Sequence, residues 1–414
     1  MPGGFFPAAE TGAAVSPLLE RLWPSVRDEI ERQDGTDATV HAELRTAPGT
    51  DGAVGLRRFY WSTQRPEPRS PWGFSARTLY CDAHAGDPRL YEFPSEPTLT
   101  WLGDDPGPLR HRGLPERVDV LRYIPLRRLT FRVYDGAELP ARVIAKVKAA
   151  GGLNRAATAF LAVHLAASKR RSDAPTVPQL LRLDPPRHVL YLEELPGEPL
   201  NLAIRTLDLT AAMEHLGALH RALQELDVAG ITARRTSDDW LQIARAAAAQ
   251  IGLFVPSTAA RAEEVYAELV RTAPADGRLV FCQGDFLPGQ ILCHPSGWSV
   301  IDFDDSRYAD PLSDAAALYA ALPGELGLPP EQAEPARRTY LQAYASRAGE
   351  RFDEARWRWF LVLLQFAELG KRLIKGRVVP GDRDGARTAL ATGRRQPRVT
   401  PVSVRAASRR RRAG

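Results

Sequence analysis

The chain has 414 residues, 44% hydrophobic and 25% charged, the make-up of a soluble globular protein with sizeable cores in two or three domains. Its three cysteines, Cys81, Cys282 and Cys293, are few, odd in number and not at metal-ligand spacing, which argues against a disulfide framework and for a reducing compartment. The formal charge of +5 rests on the last 21 residues, RRQPRVTPVSVRAASRRRRAG, which hold eight Arg and no acid, so the rest of the chain is net acidic.

The opening MPGGFFPAAETGAAV has no basic region followed by an apolar core, so no secretory leader is expected. No window approaches eighteen uninterrupted apolar residues, so no membrane span is expected and a cytoplasmic setting follows. Residues 17–33 place Leu19, Leu22, Trp23, Val26 and Ile30 on one helical stripe, with Pro24 early in the pattern. ATVHAELRT alternates with period two, and VGLRRFYWS, ARTLYCD and PRLYEF are further strand candidates. One helix and four strands predict a small α+β unit over residues 1–113. RVDVLRYI, LTFRVYD and ARVIAKV then read as successive strands, GLNRAATAFLAVHLAA as a helix and RHVLYLEEL as a strand closed by PGEP. That order predicts a small antiparallel sheet with one helix packed on it, over 114–195. From 196 to 393 the pattern is mostly helical, with helices expected over 207–226, 238–251, 258–273, 312–322, 331–348 and 353–375. The basic stretch 394–414 has no apolar period and reads as a disordered, solvated tail rather than a nucleic-acid arm.

The only strand signals in the helical half surround QGDFLPGQIL. RLVF leads into Cys282-Gln283-Gly284-Asp285, and QILCH and WSVIDF joined by PSG read as a β-hairpin. A turn centred between Ser296 and Gly297 sets Ile291 opposite Asp302 and Gln290 opposite Phe303. Asp285 lies just before the hairpin, so two carboxylates and one amide oxygen converge at one end of it. Hard oxygen ligands in that arrangement suit Mg²⁺ shared with substrate phosphates. Phosphoryl transfer needs a metal, a residue to orient the attacking hydroxyl and a cation on the phosphates. Asp302 and Gln290 are the metal candidates, Asp285 the orienting residue, and Lys146 in VIAKV the cation.

These segments, in this order, resemble the aminoglycoside phosphotransferase and choline kinase-like family, which has the protein-kinase-like fold. The family's catalytic loop, His-Gly-Asp, four residues, then Asn, is similar to Gln283-Gly284-Asp285 and Gln290 here. Its Ile-Asp-Phe/Trp-Asp/Glu and later Asp-Pro are matched by Ile301-Asp302-Phe303-Asp304 and Asp310-Pro311. YLEELPGEPL resembles the hinge between lobes whose backbone receives adenine, which implies Glu194 and Leu195 as nucleotide contacts. The resemblance covers about 118–322. It implies an α+β, bilobal protein-kinase-like fold, with a small antiparallel-sheet N-lobe, a mainly helical C-lobe and the α+β unit as an N-terminal extension. It also implies ATP and Mg²⁺ as cofactors and a hydroxyl acceptor on an amino alcohol, an aminoglycoside-like compound, a sugar or a peptide.

This sequence departs from the family at several points. Gln283 stands for the loop-bracing His, and Gln290 for the metal-binding Asn, its extra methylene moving the oxygen by about 1.5 Å. The helix after Lys146 offers no Glu to pair with it, and Lys148 on the same strand face is a rival for the phosphate role. The turn PLRR has no glycine-rich loop; Arg127 or Arg128 there is a candidate for phosphate contact instead, with solvation the favoured expectation for a charged turn. Asp304 and Asp305 read equally as ligands for a metal or a cationic substrate and as turn features, Asp310 as a helix cap, Asp314 as a first-turn dipole partner and His220 as a braced helix residue. Trp357, Phe360, Leu363 and Leu364 read as core. A Ser-His-Asp elbow and zinc spacing are both missing from the sequence. Two alternatives to the active kinase stand: a catalytically impaired pseudokinase, motivated by the departures, and a maltokinase-like sugar kinase, whose N-terminal cap the first hundred residues resemble in layout.

Overall fold

The computed structural model describes residues 37–46, 54–67, 72, 74–82, 89–93, 95, 118–126, 128–134, 142–148, 152–170, 175–254, 258–346 and 353–374. The expected helix over 17–33, the tail 394–414 and Arg127 lie outside them. Four antiparallel strands, β1 (Asp37–Thr46), β2 (Val54–Pro66), β3 (Phe74–Asp82) and β4 (Arg89–Glu92), pair in sequence order where the alternating segments predicted strands. A second sheet has β5 (Asp119–Ile124), β6 (Arg128–Tyr134), β7 (Arg142–Lys148), β9 (Val189–Glu193) and β8 (Leu180–Asp184) in that spatial order. Strand β8 was not foreseen. LLRLD lacks alternation because it is an edge strand, with Leu181 and Arg182 turned outward and β9 as its partner.

Period-two geometry gives this sheet two faces. Leu129, Phe131, Ala145, Val147 and Val189 are buried on one face, against Trp72. Trp72 meets Phe131 and Phe93 edge-on at 6.3 and 5.4 Å, so residues next to the strands of the first sheet cover that side. The opposite face carries Arg128, Lys146 and Lys148, with Leu190 and Leu192 buried among residues of helix α1 (Leu153–Lys169). Helix α1 turns Ala156, Phe160 and Val163 toward this core, the i, i+4, i+7 stripe its sequence predicts.

After β9 the chain enters the helical lobe through β10 (Glu198–Pro199) and α2 (Leu200–Ala203), followed by α3 (Leu209–Gln224), α4 (Ser237–Phe254) and α5 (Ala259–Arg271). Helices α6 (Pro311–Leu326), α7 (Pro330–Ser346) and α8 (Glu354–Ile374) close the lobe. Trp357, Phe360 and Leu363 are buried in its core, as expected. Between the helix groups lie β11 (Val280–Cys282), β12 (Ile291–His294), β13 (Gly297–Val300) and β14 (Arg307–Ala309). The hairpin β12–β13 pairs Ile291 with Val300 and His294 with Gly297, so its turn centres between Pro295 and Ser296. The expected pairing of Ile291 with Asp302 is therefore corrected: the short turn leaves Asp302 beyond the ladder, and Gln290 O accepts from Ile301 N at 2.9 Å.

Two stitches tie the connecting chain to the helical lobe. Glu198 and Pro199 pair with Cys293 and Leu292, and Val300 N donates to Thr176 O at 2.9 Å. No helix among the described residues is long and apolar enough to cross a membrane.

Candidate active site

Asp285 sits on the loop between β11 and β12. Gly284 before it has φ +92°, and a Cβ there would run into the Asp305 carbonyl and Arg307 Nη1, so only glycine serves. Gln283 braces the loop on both sides. Its Nε2 donates to Ile301 O at 3.0 Å and Asp302 O at 2.6 Å, and its Oε1 accepts from Asp285 N at 2.7 Å. The amide thus ties the loop of Asp285 to the strand end that carries Asp302.

More ties come from residues whose role the sequence did not show. Asp314, in the first turn of α6, accepts from Gly284 N at 2.9 Å. Arg307 donates to Gly284 O at 3.1 Å and Asp305 O at 3.0 Å, and lies 3.8 Å from Asp314. Reading Asp314 as a dipole partner alone is corrected: it is buried and anchors the loop. Arg307 carried no signal, because its acceptors belong to backbone far along the chain. Asp310 does cap α6, accepting from Leu312 N at 2.9 Å, and is also gripped by Arg356. His220 is braced as expected, bonded to the Tyr340 hydroxyl at 2.8 Å and stacked on Phe286 at 4.1 Å. Burial, helped by Arg221, drives its imidazole down to about 3, so it stays neutral and structural.

Across the cleft the structure brings Lys146 to Asp302, with Nζ 2.7 Å from Oδ1. Lys146 also rests over the Phe160 ring at 5.3 Å, where a partner acid on α1 is absent from the sequence. Lys148 hydrogen-bonds Asp304. Arg128 lies 3.6 Å from both Asp302 and Asp304. The expectation that Arg128 is solvated is corrected: it is 18% exposed and turned into the cleft, because it begins β6 on the same face as Lys146 and Lys148. Asp304 is likewise no mere turn residue, at 6% exposed within this cluster.

The two aspartates of the cleft are pushed in opposite directions. Burial, then the charges of Asp302 and Asp305, raise Asp285 to about 6. Burial would raise Asp302 too, but Lys146, with Arg128 and Lys148, outweighs it and holds that carboxyl at about 2. Asp302 also takes a left-handed backbone, φ +64°, which a non-glycine residue adopts at a cost of about 1–3 kcal/mol. At the hinge, Glu194 is gripped by Arg132 at 2.8 Å and Leu195 is buried.

Metal fit turns on the oxygens at hand. Asp304 Oδ1 is buried without a partner, and the Gln290 side chain bonds no described residue. No group of three or more His, Cys, Asp or Glu gathers among the described residues, so Asp302, Asp304 and Gln290 form an incomplete oxygen set. Such a set fits Mg²⁺ completed by phosphate oxygens and water.

A family model described as the phosphotransferase enzyme family matches residues 126–360, more than half of the sequence. The chain belongs to the phosphotransferase enzyme family. Its match spans both lobes of the α+β, protein-kinase-like fold. Among solved structures, an aminoglycoside phosphotransferase, APH(3'')-Id, from Streptomyces rimosus shares 20% identity at TM-score 0.44, over 60% of this chain and 92% of that one. A macrolide 2'-phosphotransferase, MphH, from Brachybacterium faecium shares 19% at 0.44, over 66% and 91%. A choline/ethanolamine kinase family protein from Mesorhizobium loti shares 18% at 0.45, over 66% and 85%. Among curated proteins there is no match. Small-molecule phosphotransfer is the coarse activity of the family to which the chain belongs.

Proposed function

We propose that this phosphotransferase moves the γ-phosphate of ATP to a hydroxyl of a small molecule, with Asp285 receiving the hydroxyl proton. The observation that carries the reading is the meeting of Lys146 and Asp302 across the cleft beside a carboxyl, Asp285, raised to about 6. A base of that strength is ionised near neutral pH yet still takes a proton from an alcohol as the oxygen attacks. In this reading the hinge at Glu194 and Leu195 receives the adenine. Lys146 turns from Asp302 to the phosphates, and Asp302 with Gln290 and Asp304 faces the metal. Bound Mg²⁺ would supply neutralisation of the phosphate charge. Gln283, Asp314 and Arg307 keep Asp285 in place, which is the positioning on which this chemistry depends.

Relatives of the fold have been solved with ADP and streptomycin, and with AMP-PNP and hygromycin B. The acceptor class here is an alcohol bound on the Asp285 side of the cleft. A nucleotide-binding protein without transfer is the second reading, favoured by Gln290 and by the cations already seated on Asp302 and Asp304.

Thermal melts separate the two. A ligand at a hundredfold excess over Kd stabilises the folded state by about 2.7 kcal/mol. The transferase should gain clearly more from ATP with Mg²⁺ than from either alone, and should release ADP when the acceptor is supplied. A metal-independent ATP shift would support the second reading, and no shift with any nucleotide would sink both.

A further inference from the structure

The turn that links β5 to β6, Ile124-Pro125-Leu126-Arg127, has no glycine, and Leu126 takes φ +56°. Backbone amides therefore cannot press close to a triphosphate there as a glycine-rich turn would allow. We propose that Arg128 supplies the missing contact from its side chain, as a third cation on the β- and γ-phosphates of the nucleotide. The proposal rests on the phosphotransfer reading above and assigns a residue to it that the family's motifs do not.

Three observations carry it. The β6–β7 register sets Arg128 directly opposite Lys148, with Lys146 one pair along the same face. Like charges directly opposite destabilise a sheet, so this pairing needs something that it serves. Next is the charge balance. Arg128, Lys146 and Lys148 face Asp302 and Asp304, so the cluster holds one positive charge beyond its acids. An anion of higher charge meets that surplus, and a triphosphate carries several.

The last observation is the state of the guanidinium itself. At 3.6 Å from both carboxylates, Arg128 is beyond hydrogen-bond length, and its Nε is buried without a partner. A buried donor left unbonded costs free energy. A planar fork of donors that makes ion pairs but no hydrogen bond among the described residues matches phosphate oxygens in pairs, which Lys cannot do. Arg132, four residues on along the same strand face, has its donors on Glu194 and Asp119, so an uncommitted arginine is not a general feature of β6.

The test is calorimetric titration of the wild type, R128Q and R128K with ATP, ADP and AMP in the presence of Mg²⁺. R128Q should lower ATP affinity on the order of 10- to 100-fold, the scale of lost charge-assisted hydrogen bonds. AMP lacks the β- and γ-phosphates, so its affinity should stay near that of the wild type and shows that the variant is folded. R128K should recover part of the ATP loss, by restoring the charge without the fork. ATP affinity unchanged in R128Q, or ATP and AMP weakened alike, overturns the assignment. A wild-type protein that binds none of the three overturns the phosphotransfer reading itself, so the two failures are told apart.

Discussion

Asp285 and Asp302 are the same side chain in the same cleft, and the protein treats them oppositely. Around Asp285 there is backbone, burial and acidic company; its loop is held by an amide, a buried aspartate and an arginine that bond the chain and not the carboxyl. Around Asp302 there are three cations from the facing sheet. One carboxyl is pushed up to about 6 and the other down to about 2. Burial acts on both in the same direction, so the neighbours' charges decide which carboxyl can take up a proton near neutral pH and which stays an anion.

Asp285→Asn should break this contrast most severely. The two side chains are nearly isosteric, so the fold should survive while turnover falls by about 10²–10⁴. Normal turnover on the true acceptor would remove Asp285 from the chemistry. Asp302→Ala should abolish the extra stabilisation that ATP gains from Mg²⁺ in thermal melts, about 2.7 kcal/mol at a hundredfold excess. Persistence of that difference would move the metal elsewhere.

Acidity sharpens the same contrast. Below about pH 6 kcat/KM should fall about tenfold per unit as Asp285 takes up its proton, and level off above. The stability contributions have opposite signs. The raised Asp285 contributes most below its unfolded value near 3.9, and that contribution is lost as pH rises through about 6. The lowered Asp302 contributes above about pH 4 and loses its share as pH falls toward 2. A rate profile flat from pH 5 to 8 would contradict the Asp285 assignment.

Arg307→Gln should lower kcat roughly tenfold by loosening Gly284, with nucleotide KM little changed and partial rescue by Arg307→Lys. Equal changes in kcat and KM would make it a general strut. The smallest effect is expected for Gln290→Asn, which shortens the ligand and should enlarge the Mg²⁺-dependent melt shift by about 1–2 °C. A reduced shift would mean that the backbone has already adapted to Gln.

The sequence marks Asp285, Gln290, Asp302 and Lys146 as candidates because they sit in order around a short hairpin and on an alternating strand. It misplaced the hairpin register because PSG admits two turn centres of equal length, and the ladder closes on His294 and Gly297. Strand β8 escaped because an edge strand has no buried partner on one side to impose alternation. Asp314 and Arg307 escaped, and Arg128 reads first as solvated, for a deeper reason. Each gains its role from partners on other elements, so locally Arg128 reads as a wet turn, Asp314 as a helix start and Arg307 as an ordinary surface cation.

The stitches at Thr176–Val300 and at Glu198–Cys293 carry a mechanical consequence. The chain is pinned to the lower lobe just after α1 and again just after β9, and Phe160 of α1 rests edge-on against Phe303 at 5.9 Å. Helix α1 thus bridges the lower lobe, through Phe303, and the sheet, whose Leu190 and Leu192 share its core, and a tilt of the outer strands β5–β7 away from these crossings is the opening motion expected. Tilting lifts Arg128, Lys146 and Lys148 together, like the teeth of a comb, away from Asp302 and Asp304. In hydrogen exchange the Val300 amide should stay protected while the cleft opens, which sets the pivot at the pinned crossings and leaves the stroke to the comb.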